Sequence, residues 1–278
     1  MIKSIVVAAD ASAHAVAARE QAVWLARAYQ ARVVGLGVLD VRLLEMPPYL
    51  DYSYPFETIP ISQFPVELME SFRKKMEHVL VGFKEAVEQA GVQCDTRLEE
   101  GVPAEVIAEL ADSNDLLVVG KRGEHARWGK ETLGSTTELV IRRATVPVLL
   151  ADEVARPMGS MVLLYDGSHP SNQALKLGID IATHTGVALR VLSAAASEEE
   201  AAQVQEEARE YAAAFDLDVG YRVREGDVNA AVFAELDDEP ADLVLLGKKG
   251  HSLLHKLLLG STAERLMREL EMPVLLVP

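Results

Sequence analysis

The residues best suited to chemistry in this 278-residue chain stand near its C-terminal end, in the run Gly247-Lys248-Lys249-Gly250, nine further residues, then Gly260-Ser261-Thr262. Glycines admit positive φ and let a ligand approach the backbone closely. The spacing of Ser261 and Glu264 is that of a capping box, which predicts a helix start whose free N–H groups and positive dipole end attract anions. Just before the run, Ala241–Leu246 is apolar and of strand length. A strand, a glycine-rich loop with lysines and a helix N-terminus together make a cradle for phosphate. The other reading is that the glycines only make turns and Ser261 only caps.

The pattern occurs twice. Gly120-Lys121-Arg122-Gly123 follows the apolar run Asp115–Val119, and after ten intervening residues Gly134-Ser135-Thr136 opens a second capping-box spacing that ends at Glu138. The copies run on in step to Val146-Pro-Val-Leu-Leu150 and Met272-Pro-Val-Leu-Leu276. They begin alike, at Ile2 to Asp10 and Met161 to Asp166. An internal duplication sets the domain count, here 1–152 and 160–278, with a linker around 152–159.

With these motifs the sequence resembles the universal stress proteins in their tandem form. Nucleotide-binding members of that family carry Gly, two residues, Gly, nine residues, Gly, then Ser or Thr, with an Asp at the end of the first strand. The second half keeps that spacing and the first carries one extra loop residue. The resemblance implies an α/β fold of two open five-stranded parallel sheets, each in the order 3-2-1-4-5 with helices on both faces. It implies binding of ATP or a related adenine nucleotide, with or without Mg, by a stress-response regulatory module. Asp166 and Asp10 would lie near the adenine. Gly247, Gly250 and Gly260 would give the phosphates room, Ser261 and Thr262 would hydrogen-bond them, and Lys249 and Arg122 would add charge. The first copy's set would be Asp10, Gly120, Gly123, Gly134, Ser135 and Thr136. On spacing, the second half is expected to be the better site. The family dimerises through its last strand, which implies an intramolecular pseudo-dimer through 146–150 and 272–276, or a homodimer. Two alternatives stay open: an interaction scaffold that binds no nucleotide, and a slow ATPase or nucleotidyl-transfer enzyme on the same fold.

The rest of the composition narrows the class. A formal net charge of −16 argues against general affinity for nucleic acid, which needs clustered Lys and Arg. The two loops are basic against that acidic background, with Lys121, Arg122, His125, Arg127 and Lys130 in one and Lys248, Lys249, His251, His255 and Lys256 in the other. A local positive field suits a small anion. No apolar run is long enough to span a membrane and no leader precedes one, so the expected compartment is the cytoplasm. Cys94 is the single cysteine and is expected to be a buried structural thiol. No Walker pattern is present, so rapid ATP turnover is unsupported. No nucleophile-elbow context supports a Ser-His-Asp set. His251 and His255 have no neighbouring acid or thiol to complete a metal site.

These residues must be positioned by alternating elements. The patterns predict strands at 2–9, 32–39, 92–98, 115–119 and 146–151, and helices at 15–29, 66–90, from Pro103, and at 135–144. The second half repeats the series, with strands at 161–165, 187–194, 217–224, 241–246 and 273–277 and helices at 171–185, 198–214, 228–236 and 261–270. Alternation of this kind implies right-handed crossovers and a parallel sheet covered on both faces. Pro47, Pro48, Pro55, Pro60 and Pro65 with tyrosines 49, 52 and 54 mark 41–65 as an irregular insertion, a lid, an interaction surface or a loop packed on its own domain.

Overall fold

A computed structural model describes residues 1–44, 64–124, 133–248 and 260–278. The first half contains β1 (Ser4–Ala8), α1 (Ala13–Tyr29), β2 (Arg32–Asp40), α2 (Phe64–Gln89), β3 (Cys94–Gly101), α3 (Pro103–Ala111), β4 (Leu116–Gly120), α4 (Ser135–Arg143) and β5 (Val148–Ala151). The second contains β6 (Ser160–Leu164), α5 (His169–Thr185), β7 (Ala188–Ala195), α6 (Glu198–Ala212), β8 (Val219–Glu225), α7 (Val228–Asp238), β9 (Leu243–Gly247), α8 (Ser261–Glu269) and β10 (Val274–Val277). A single turn of 3-10 helix at Val41–Leu44 opens the insertion, and 45–63 lie outside the described residues.

The apolar runs of β1, β4, β6 and β9 are buried because each strand is covered on both faces. Along β1, Ile5 and Val7 enter one core with α1, α2, α5 and α6, while Val6 enters the opposite core with α3, α4, α7 and α8. This is the two-sided burial that parallel sheets require. Helix α2 approaches β2 at Gly35, where an added Cβ would lie 2.6 Å from the Phe83 ring. Close packing is therefore the use of that glycine. Cys94 is buried, and burial pushes its thiol up to about 11, so it is a structural thiol.

Each half has the order 3-2-1-4-5, yet the described strands form one ten-stranded sheet, β3-β2-β1-β4-β5-β10-β9-β6-β7-β8. The expected pair of separate sheets is corrected at the seam. There β5 and β10 pair antiparallel, with Leu150 opposite Val274, Leu149 opposite Leu275 and Val148 opposite Leu276. All four residues of each strand are buried. An apolar edge left open would expose both this surface and a row of backbone groups, and pairing removes both.

Candidate functional site

The strand order reverses between β1 and β4, which pair in parallel, and open α/β sheets bind ligands beyond the carboxyl ends of strands at such a point. A cavity of about 750 Å³ lies there in the first half. Asp10, Gly120 and Arg122 to Glu124 line its floor, β2 lines one side through Leu36 and Val38 to Asp40, and Ser135 to Glu138 of α4 line the other. Met69, Phe72, Met76 and Val79 of α2 form an apolar roof. Sequence reasoning missed this roof, although the i, i+3, i+7 spacing of those residues on a 26-residue helix was its signal.

The helix that faces the cavity is not capped as its sequence suggested. Gly134, at φ −63° and ψ 141°, is the N-cap of α4 and Ser135 is the first helical residue, so no side chain caps the helix. Gly260 and Ser261 repeat this at φ −64° and ψ 141°. The capping-box reading is thereby corrected: a glycine holds the cap position and has no side-chain oxygen to offer, which leaves the first-turn N–H groups to another acceptor. The other helices with a Ser or Asp cap do use it, as Ser12 does for α1 and Ser168 for α5.

The glycines divide by what demands them. A Cβ on Gly120 would stand 2.6 Å from His14 Cβ, and one on Gly247 would stand 2.7 Å from Pro170 Cβ, so these two let α1 and α5 approach the sheet. One on Gly123 would stand 2.9 Å from Asp10 Oδ2. At Gly134 the nearest protein atoms would be 3.5 Å away, an ordinary contact, so packing asks for no glycine there. What Gly134 leaves open is the cavity side of a helix start.

Asp10 accepts from the N–H of Ser12 at 2.8 Å and from that of Glu124 at 3.1 Å, tying the end of β1 to the loop after β4. Asp166 accepts from Ser168 N–H at 3.0 Å, the same turn in the second half. Both aspartates act as turn caps. Thr137, which sequence reasoning passed over, donates from Oγ1 to Gly120 O at 2.9 Å and fixes α4 to the end of β4. Its counterpart by position is Ala263, so the second half lacks that bond.

The acids lining the cavity are engaged. Asp40 receives two guanidinium N–H groups of Arg42 at 2.8 and 2.6 Å, which hold its carboxyl below the usual range. Glu124 pairs with Lys75 of α2, and Glu138 pairs with Arg268 of α8 at 2.8 Å. Arg122 and the N-terminus of α4 are positive groups of that lining.

The first lysine of each loop departs from the expected cradle. Lys121 is buried and its Nζ donates to Leu270 O and, at 2.8 Å, to Met272 O in the other half. Lys248 Nζ donates to Arg142 O at 3.2 Å and Ala144 O at 2.8 Å. A lysine side chain that reaches over the seam to a helix C-terminus finds carbonyls without intrahelical partners there and satisfies them. Of the predicted site residues, Asp10, Gly120, Arg122, Gly123, Gly134, Ser135 and Thr136 all line the one cavity. In the second half Asp166, Gly247, Gly260, Ser261 and Thr262 stand at corresponding strand and helix ends. Lys249 and Gly250 lie outside the described residues, and with them the expected ranking of the two loops.

Among the described residues no group of three or more His, Cys, Asp or Glu could hold a metal ion, and no helix is long and apolar enough to cross a membrane. A universal stress protein from Synechocystis sp. is 25% identical over 287 residues, covering 99% of both chains. One from Thermus aquaticus is 34% identical over 154 residues, 54% of this chain and 98% of its own. A crystal structure of a universal stress protein from Archaeoglobus fulgidus shares the fold, with a TM-score of 0.78 at 20% identity over 99% of this chain and 97% of that one. The sequence model of the universal stress protein family matches residues 1–152 and again 158–278, and the chain belongs to that family.

Proposed function

We propose that the chain binds ATP or a related adenine nucleotide beyond the ends of β1 and β4, and at the matching place beyond β6 and β9, as a regulatory module of the stress response. The observation that carries this reading is the open start of α4: a glycine cap without a side-chain acceptor, facing a cavity of about 750 Å³ with an apolar roof. Small-molecule sites have this size and this mixture of apolar wall and few polar groups. The phosphates would lie on the first-turn N–H groups of α4 with Ser135, Thr136 and Arg122. The base would lie between α2 and the ends of β1 and β2, near Asp10. Any Mg²⁺ would be carried chiefly by the phosphates, with one or two protein oxygens, the usual manner for that ion. Titration calorimetry with ATP and adenosine on the wild type and on Gly134→Val, which fills the helix start, tests the reading. Loss of the first-half site, read as a fall in ATP stoichiometry, is expected on that substitution. Unchanged affinity for ATP in both Gly134→Val and Gly260→Val would overturn it.

A further inference from the structure

Two lysines close a hydrogen-bonded circuit between α4 and α8. Lys121 follows the last residue of β4; its carbonyl accepts from the N–H of Gly134, the N-cap of α4, at 2.9 Å. Its side chain reaches over the seam to Leu270 O and Met272 O, at the end of α8. The second half does the reverse. The Lys248 carbonyl accepts from the N–H of Gly260, the N-cap of α8, at 3.4 Å, and its side chain reaches Arg142 O and Ala144 O at the end of α4. From the start of α4 the path therefore runs through Lys121 to the end of α8, along that helix to its start, through Lys248 to the end of α4, and back.

The backbones of both lysines are fixed at the ends of the seam strands, Lys121 N–H on Ala151 O at 2.8 Å and Lys248 N–H on Val277 O at 2.6 Å. A third link is Arg268 of α8, which joins Glu138, a cavity-lining residue of α4, to Glu264 of its own helix at 2.8 and 2.9 Å. Each helix has nine residues, short enough to move as one rigid piece. A shift at the first turn of one is carried to its last turn, and there it meets the lysine that holds the first turn of the other.

We infer that Lys121 and Lys248 couple the first turns of α4 and α8, so that an anion that orders one helix start also orders the other. The inference deepens the nucleotide reading and takes nucleotide as the natural input, while the coupling itself is a property of the empty chain. A merely local role, in which each lysine caps one helix C-terminus, affects only the last turn it touches.

Hydrogen exchange on the full-length protein separates the two. Without ligand, Lys121→Met is expected to speed exchange at the Glu264 amide, at the far end of α8. Lys248→Met is expected to do the same at the Glu138 amide, each by about 2- to 30-fold, the range of energetic coupling between linked sites. Lys84→Met, on the surface of α2, is the control and should change neither. Two variants are used because either buried substitution could impair folding. Changes confined to the last turns of α8 and α4 would overturn the inference. In a second arm, ATP is added to Gly260→Val, and binding in the first half should slow exchange at both Glu138 and Glu264, the latter effect diminishing with Lys121→Met, which leaves the Arg268 link in place. Protection of Glu138 alone would also overturn the coupling. Protection of neither amide in the wild type would instead overturn the nucleotide reading, with the ligand-free arm still deciding the coupling.

Discussion

The Tyr29 hydroxyl, at the end of α1, donates to the Asp180 carboxylate of α5 at 2.8 Å, a bond from one half of the chain to the other. The Tyr29 ring also stacks on His184 at 4.4 Å, and Tyr29 itself is buried. The seam of β5 and β10 thus has a second contact on the face that carries α1 and α5.

Tyr29→Phe keeps the stack and removes the bond. A hydrogen bond to a charged group contributes about 1.5–3 kcal/mol when shielded, and Asp180 is partly exposed, so a loss of about 1–2 kcal/mol is expected. Urea denaturation checks it; a change within error would mean that water replaces the bond fully.

Gly120→Ala should destabilise the fold by about 1–3 kcal/mol, because the new methyl meets His14 Cβ and the core must shift. Gly134→Ala should leave the melting temperature nearly unchanged and still weaken ATP. Equal stability losses in both would contradict the division of the glycines.

Thr137→Val removes the bond to Gly120 O without changing side-chain volume. A cost of about 0.5–1.5 kcal/mol is expected, typical for one neutral bond, together with weaker ATP binding in the first half as α4 loses its anchor. Ala263→Thr in the second half is the reverse experiment, and calorimetry on both variants reads the affinity.

Burial lowers the Lys121 ammonium from 10.5 to about 8, with Arg122 acting in the same direction and Asp152 and Glu271 against it. From pH 8 to 10.5 the unfolded chain then binds a proton that the folded chain lacks. Stability relative to Lys121→Met should therefore rise with pH across that window, by about 1.4 kcal/mol per unit at most, and stay level below pH 8. A falling difference across the window would show that the helix carbonyls hold the charged form.

In the second half, Lys249→Ala and Ser261→Ala should each weaken ATP more than adenosine, and Asp166→Ala should weaken both alike, if phosphate meets the helix start and the base meets the strand end. A charge-assisted bond contributes about 1.5–3 kcal/mol, so Lys249→Ala should cost roughly tenfold or more in affinity. Equal losses for both ligands in all three variants would favour a scaffold over a nucleotide site.

The duplication and the alternation of strand and helix were legible in the sequence, because buried parallel strands leave apolar runs such as Leu116–Val119 and crossover helices leave amphipathic ones; the order of strands within each half came only from the family resemblance. The meeting of Asp10 with Gly123 and Gly134 followed from that resemblance, since the family's strand order places the ends of β1 and β4 together. Tertiary structure decided which glycines serve packing: only the approach of His14 and Pro170 shows why Gly120 and Gly247 have no side chain. It also decided where the lysines go. Lys121 and Lys248 have the composition of phosphate ligands, but their partners are carbonyls more than 100 residues away in sequence, at helix ends that lie beside them only once β5 and β10 have paired. No local pattern records a bond whose acceptor is supplied by the other half of the fold.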